Sequence, residues 1–209
     1  MQFSKKNILI IPNVKVYSLS AGGVREHIYE WANVAKNNLT EHVGTYFKDL
    51  GQNVKIINTE KLDDEKIENI IQLCLAVMES IHLHVNGPYP FPKKENNFDY
   101  SIGAIDYILD STGTDSMIII YGRDEISTPG RKIMNGIGTF FGATIGVFNG
   151  FKNIPSGGTT KVSIAIIDPA GTIQWIGRKK NDGGYDLRNS ESTYRLASEI
   201  LSPLSGRGE

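Results

Sequence analysis

Short apolar runs and helix-like periodicities alternate along the first half of this chain. The runs Asn7–Pro12, Asn53–Asn58 and Thr114–Gly122 are bounded by polar residues or glycine, and such runs are typical of strands covered on both faces of a sheet. Apolar residues recur at steps of three and four from Val24 to Leu50, which predicts a long amphipathic helix that ends at Gly51. A strand, a helix and a second strand in this order predict a βαβ unit with parallel pairing.

The rest of the chain adds further helices and a hairpin. Gly87–Asn97 contains three prolines and is expected to be a loop. Thr160–Ile167 and Thr172–Arg178 alternate between apolar and polar residues on either side of Asp168–Gly171, which predicts an antiparallel hairpin. Three helices are expected: Asp63 to about His84, Asp99–Ser111 and Ser190–Leu204.

This order predicts the α/β class, with a single mixed β-sheet and flanking helices. The βαβ units come first and the antiparallel hairpin comes late in the chain. We assign residues 7–204 to a single α/β domain, with a glycine-rich insertion at 127–159 and a disordered tail at 205–209.

The insertion carries glycines at four-residue spacing inside an apolar segment. On a helix this spacing places the glycines nearly in one line, and because glycine destabilises a helix by about 1 kcal/mol relative to alanine, the repetition indicates close approach of another backbone. Three interpretations stay open: a helix packed on its own sheet, a flexible loop, or a segment that faces a membrane or forms an oligomer. The glycines, which we take as candidate packing or interaction residues, are Gly138, Gly142, Gly146 and Gly150.

Composition excludes several classes of protein. The net charge is −1, which leaves no overall basic field for nucleic acid. Cys74 is the only cysteine, so no internal disulfide can form, and its spacing to His82 and His84 fits no common zinc pattern. We expect no metal and no cofactor. No run approaches about 18 apolar residues, so a conventional membrane-spanning helix is not expected, and the first residues are expected to lead into a strand rather than to form a targeting segment.

Two segments are candidates for ligand binding. Gly22 and Gly23 precede the first long helix and could form a backbone nest for an anion; an ordinary glycine turn is the alternative. Arg123 and Asp124 follow the third strand, where α/β folds place their ligand sites, and a surface ion pair is the alternative. The short basic cluster Arg178–Lys180 could contact phosphates or anionic lipid, or could simply be solvated. No catalytic motif is recognised.

The layout resembles a group of bacterial envelope lipoproteins that includes the curli-secretion channel subunit and the activators of penicillin-binding proteins. The segments that carry the resemblance are Ile8–Pro12 with its long following helix, Asn53–Asn58, Asp99–Gly122 and Val162–Trp175. The resemblance implies an α/β fold and an envelope location, and it transfers no catalytic residue. In channel-forming members, inserted segments become membrane hairpins; the insertion here differs because its period is four rather than two.

The expected function is therefore that of a non-enzymatic periplasmic domain of an outer-membrane lipoprotein, acting in envelope assembly or secretion through protein–protein contacts. This location requires that a signal peptide and a lipid-attachment cysteine have been removed; otherwise the chain is expected in the cytoplasm. One alternative is a cytosolic α/β ligand-binding domain or enzyme, and another is a membrane-active oligomer that uses the glycine-rich segment. The expected partners are proteins or further copies of this chain, near a membrane, and not nucleic acid.

Overall fold

The computed structural model describes residues 6–20, 22–57, 65–85, 87, 89–96, 98–128 and 158–205. Its strands are β1 (Asn7–Leu19), β2 (Arg25–His27), β3 (Asn53–Ile56), β4 (Ser116–Ser127), β5 (Thr159–Ile167) and β6 (Ile173–Asp182). Its helices are α1 (Tyr29–Asp49), α2 (Glu65–His84), α3 (Pro92–Asn96), α4 (Asp106–Thr112) and α5 (Ser190–Ser205).

The strands form a single mixed sheet, which confirms the predicted α/β class. The strand order is β2-β1-β4-β5-β6, and β3 also pairs with β1. Strand β1 pairs in parallel with β3 and β4, whereas β2, β5 and β6 each pair antiparallel to a neighbour. The βαβ unit and the late hairpin therefore join one sheet, as the order of predicted elements indicated.

Helices cover both faces of the sheet because the central strands are apolar at consecutive positions. In β1, Ile8 and Ile10 pack with helices α1 and α5 on one face. Leu9 and Ile11 pack with α2 and α4 on the other face. We call these the α1 face and the α2 face. Alternation along each strand assigns every later strand residue to one of them.

Strands β1 and β4 continue past the point where open α/β sheets usually leave a ligand crevice. The neighbours β3 and β4 lie on opposite sides of β1, which is the arrangement that creates such a crevice at the carboxyl ends of the strands. Here β1 and β4 stay paired from Ile8 with Ser116 to Leu19 with Ser127. The prediction that the third strand ends at Gly122 is therefore wrong, because main-chain pairing carries β4 five residues further.

The first long helix begins later than the apolar periodicity indicated. Arg25–His27 form β2, which pairs with the end of β1, and α1 begins at Tyr29. A tight turn with Gly23 at a φ of 80° reverses the chain between β1 and β2, and the Ser20 hydroxyl accepts a hydrogen bond from the Val24 N–H at 3.1 Å. Strand pairing therefore prevailed over helical periodicity at Arg25–His27.

A similar tertiary effect shortens the helix predicted at Asp99–Ser111. The observed helix α4 begins at Asp106. The preceding residues are not helical and lie against the hairpin turn, where the Ile102 N–H donates to the Gly171 carbonyl at 2.9 Å and the Ile105 N–H donates to the Pro169 carbonyl at 3.0 Å. These long-range bonds replace the first turns of the predicted helix.

The remaining predictions are close to the structure. The late hairpin is confirmed, with Gly171 at a φ of 78° in its turn, although β6 continues to Asp182. Strand β3 ends at Ile56 rather than Asn58, and the proline-rich loop includes the short helix α3. Helix α5 begins as predicted, and the Asn189 side chain accepts a hydrogen bond from the Ser192 N–H at 2.8 Å.

The four regularly spaced glycines of the insertion lie outside the described residues. Of the insertion predicted at 127–159, only residues 127–128 and 158–159 are described, and so is Ser205 of the predicted tail. In the described part of the chain, no helix is both long enough and apolar enough to cross a membrane. The interpretations of Gly138, Gly142, Gly146 and Gly150 stay predictions.

Candidate functional site

Gly22 and Gly23 do not lie at a helix N-terminus. They belong to the exposed turn between β1 and β2, where the Gly23 N–H donates to the Ser20 carbonyl at 3.0 Å. Helix α1 begins only at Tyr29. The predicted backbone nest for an anion at the start of the helix is therefore wrong, and the alternative of an ordinary glycine turn holds.

Arg123 and Asp124 are neighbours in sequence but belong to two different sites. Both lie inside β4 rather than after it, and successive side chains of a strand point to opposite faces. Asp124 contacts Leu187, which belongs to the core on the α1 face. Arg123 stands over the Tyr17 ring on the opposite face. A single ligand site that uses both residues is not formed.

Asp124 is a buried carboxylate with a partner on each oxygen. Its exposed fraction is 1%. The Thr160 hydroxyl donates to Oδ1 at 2.8 Å, and the Leu187 N–H donates to Oδ2 at 2.9 Å. Burial raises the pKa of Asp124 to about 6, against the lowering effect of these two hydrogen bonds. The carboxylate is closed to solvent and therefore joins chain segments rather than meeting a substrate.

The segment that Asp124 fixes is the loop between β6 and α5. The Leu187 carbonyl of this loop accepts hydrogen bonds from Asn38 Nδ2 and from Thr193 Oγ1, each at 3.0 Å. The Arg188 guanidinium lies 4.4 Å from the centre of the Trp31 ring. Asp124 is thus the buried end of a polar network that ties β4, the loop and helix α1 together.

The second site is a row of basic residues across four neighbouring strands on the α2 face. Strand register places Lys15 opposite Arg123, Arg123 opposite Lys161, and Lys161 opposite Lys180. Neighbouring strands lie about 4.8 Å apart, so the row extends over about 14 Å. We call Lys15, Arg123, Lys161 and Lys180 the basic row.

Acidic residues neutralise the middle of the basic row but not its ends. Glu125 accepts from Arg123 Nη2 at 2.8 Å and from Arg25 Nε at 3.0 Å, and Glu79 pairs with Lys161. Within the described part of the chain, Lys15 and Lys180 make no ion pair, and both are exposed. The ends of the row therefore present free positive charge to solvent.

Aromatic rings accompany the two central members of the row. The Arg123 guanidinium lies 4.9 Å from the centre of the Tyr17 ring, and Lys161 Nζ lies 5.8 Å from the centre of the Tyr121 ring. Such contacts hold a cation in place without neutralising it. Because Lys15 and Lys180 keep their charge at the two ends of the row, this surface is suited to binding an anionic partner.

Two cavities border the row. One of about 360 Å³ opens at the edge of β1, where Pro12–Lys15 lie between the ends of β2 and β3 and helices α1 and α2 form the walls. The other, of about 310 Å³, adjoins Lys180 and is lined by Ile81, His82, Ile176 and Arg178. Arg178 and Lys180 of the predicted basic cluster share the α2 face, whereas Lys179 pairs with Glu199 of α5 on the opposite face.

The sulfur and imidazole groups of α2 do not form a metal site. Cys74 is fully buried, and burial raises the pKa of its thiol to about 12. Among the described residues, no group of three His, Cys, Asp or Glu side chains is arranged to hold a metal ion.

The basic row could not be found from sequence because its four members come from separate strands. Its local signals were Arg123 and the cluster Arg178–Lys180, which together supply two of the four members. Comparison of the sequence with protein-family models and with curated protein sequences finds no match. The geometry of the basic row, the Asp124 network and the two cavities is therefore the basis for a functional assignment.

Proposed function

We propose that this chain is a non-enzymatic α/β domain that acts through protein contacts, and that it binds an acidic protein surface through the basic row. The observation that carries the proposal is the alignment of Lys15, Arg123, Lys161 and Lys180 across four strands. Glu125 and Glu79 already offset the charges of Arg123 and Lys161, so carboxylates of a partner would pair with the exposed ends of the row, Lys15 and Lys180.

The envelope setting of the proposal comes from the resemblance to bacterial envelope lipoproteins. In that setting the domain would stand in the periplasm on an outer-membrane anchor and would contribute to envelope assembly or secretion. Fractionation of the native host tests the location, since the protein should be recovered with the envelope. Recovery in the cytoplasm would contradict it.

A cytosolic ligand-binding role is the second candidate, and the cavity at the edge of β1 is the observation that favours it. Its volume of about 360 Å³ lies within the range of small-molecule sites. A thermal-shift screen with nucleotides and anionic metabolites tests this candidate, because a ligand that binds only the folded state raises the melting temperature.

The experiment for the first candidate measures binding of a short fluorescein-labelled polyglutamate peptide at about 50 mM salt, where surface charges are weakly screened. The test variant combines Lys15→Gln with Lys180→Gln, the two exposed ends of the row. Because an exposed ion pair contributes about 0.2–1 kcal/mol, losing two should weaken binding by about 2- to 30-fold.

The matched control combines Lys48→Gln with Lys93→Gln. These lysines are exposed on helices α1 and α3, and the control changes the net charge by the same amount. Equal weakening in both double variants would refute a site at the row. Preference for single-stranded oligothymidine or for anionic vesicles over the peptide would contradict an acidic protein partner.

A further inference from the structure

The smaller cavity, beside the end of the basic row, combines an apolar wall with positive charge. Ile81 and Ile176 supply the wall, while Arg178 and Lys180 of β6 and His82 of α2 supply the polar lining. Its volume of about 310 Å³ is at the lower end of the range for small-molecule sites. Cavities of this kind bind ligands with an apolar body and a charged head.

The charges around this cavity are unbalanced. Glu79 is the carboxylate in contact, and it is shared between Lys161 and Arg178. Lys180 makes no ion pair within the described residues. Among the described residues, the three cations Lys161, Arg178 and Lys180 thus face one carboxylate, which leaves an excess of positive charge beside the apolar wall.

One side of the Arg178 guanidinium has no partner in the part of the chain that the structure describes. Its Nη1 lies 3.4 Å from Glu79 Oε2, and its Nε is buried and has no hydrogen-bond partner among the described residues. A buried donor without an acceptor is uncommon in folded proteins and calls for an explanation. The Nε and Nη2 groups of arginine form a fork that matches the two oxygens of a carboxylate or phosphate. Because Nε is enclosed, an anion reaches this fork only after the guanidinium turns toward it.

We propose that this cavity binds a small organic anion whose carboxylate or phosphate head is held by Arg178 and Lys180 and whose apolar body lies against Ile81 and Ile176. His82 lines the same cavity and reports on its occupancy. Burial and the nearby charge of Arg178 both lower the pKa of His82, so an added anion alters the electrostatic environment of the imidazole.

The experiment follows the imidazole resonances by NMR while phenyl phosphate is added. We expect the His82 signal to shift with saturation and the His42 signal, on helix α1, to stay unchanged. Benzoate in a parallel titration distinguishes a carboxylate ligand from a phosphate ligand. Benzyl alcohol supplies the ring without the charge and should not shift His82.

Three variants locate the site. Arg178→Gln should weaken binding by about 10-fold or more, and Lys180→Gln by about 3-fold. Lys179→Gln is the matched control, because it lies next to Lys180 in sequence but on the opposite face, and it should bind within about 2-fold of the wild type. Lys180→Gln, an exposed substitution, keeps the test decisive if Arg178→Gln does not fold.

Several outcomes would overturn the inference. One is the absence of a saturable shift of the His82 signal, and another is a shift of the same size with benzyl alcohol. A third is equal binding of phenyl phosphate by the Lys180→Gln and Lys179→Gln variants. Inorganic phosphate that binds as tightly as phenyl phosphate would exclude a role for the apolar wall. Lys15→Gln separates this site from the proposed docking surface, because it should weaken polyglutamate binding and leave phenyl phosphate binding unchanged.

Discussion

Replacement of Asp124 by asparagine should stabilise the protein at neutral pH. The Thr160 hydroxyl has one proton and two acceptors within reach, Asp124 Oδ1 at 2.8 Å and the Tyr185 carbonyl at 3.0 Å. When Asp124 is ionised, the single hydroxyl proton of Thr160 can satisfy only one of these two acceptors. In Asp124→Asn, the amide group can donate to Thr160, Thr160 can donate to Tyr185, and the amide oxygen can still accept from the Leu187 N–H.

The magnitude follows from the pKa of Asp124, which burial raises from 3.8 to about 6. An acid whose pKa is raised on folding binds more protons in the folded state, so its effect on stability is favourable below about pH 4 and is lost as the pH rises to about 6. At about 1.4 kcal/mol for each tenfold change in the ionisation constant, the loss is about 3 kcal/mol. Asp124→Asn removes this loss.

The assay is urea denaturation of the wild type and of Asp124→Asn from pH 4 to pH 8. The variant should gain up to about 3 kcal/mol at pH 8, or about 6–12 °C in melting temperature for a chain of this size, and the gain should shrink toward pH 4. Asp110→Asn is the matched control, since Asp110 is exposed on α4 and its loss should change stability by less than about 0.5 kcal/mol.

A decrease in stability of Asp124→Asn at pH 8 would refute this reasoning. It would mean that the two hydrogen bonds stabilise the ionised carboxylate by more than its burial destabilises it. A gain of the same size at every pH would also contradict the account, because the difference must follow the ionisation of Asp124.

Three further predictions concern other parts of the fold. Thr160→Val should lower the free energy of unfolding by about 1–3 kcal/mol and raise the pKa of Asp124 further, so that the pH dependence in urea denaturation shifts to higher pH. Gly171→Ala should destabilise by about 2 kcal/mol or more, because Gly171 has a φ of 78° and an added Cβ would lie 1.7 Å from the Gly103 carbonyl oxygen; wild-type melting behaviour would contradict this. Cys74 should be inert to Ellman's reagent at pH 8 until the protein unfolds, since the thiol is buried and its pKa is raised to about 12; rapid reaction of the native protein would show that the α2 packing is wrong.

The sequence was sufficient for the class of fold because its apolar runs report burial directly. Ile8–Pro12 read as a strand covered on both faces, and the structure buries each of these residues. The late hairpin was also predictable, since its alternation and its turn at Asp168–Gly171 are local features. Errors occurred where hydrogen bonds to a distant segment replace local helical ones. At Arg25–His27, for example, the backbone pairs with β1 instead of extending the helix.

The candidate site was only partly predictable for the same reason. Arg123 and Asp124 were predicted to follow the third strand, but β4 continues past them and sends them to opposite faces. The basic row depends on the register of four strands, and register is set by pairing between segments far apart in sequence. The unpartnered Nε of Arg178 depends on the packing of α2 against β6, which no local pattern reveals.

Site-specific photo-crosslinking in the native host tests the proposed docking surface most directly. The crosslinker p-benzoylphenylalanine would replace Lys15 in the basic row or, as the control position, Lys48 on helix α1, and the adducts would be identified by mass spectrometry. The account predicts a protein adduct at position 15, and the crosslinked peptide of the partner should be rich in Asp and Glu. The yield of this adduct should fall when Lys180→Gln is added, and no such adduct should form at position 48. An adduct with nucleic acid or lipid at position 15, or the same protein adduct at both positions, would contradict it.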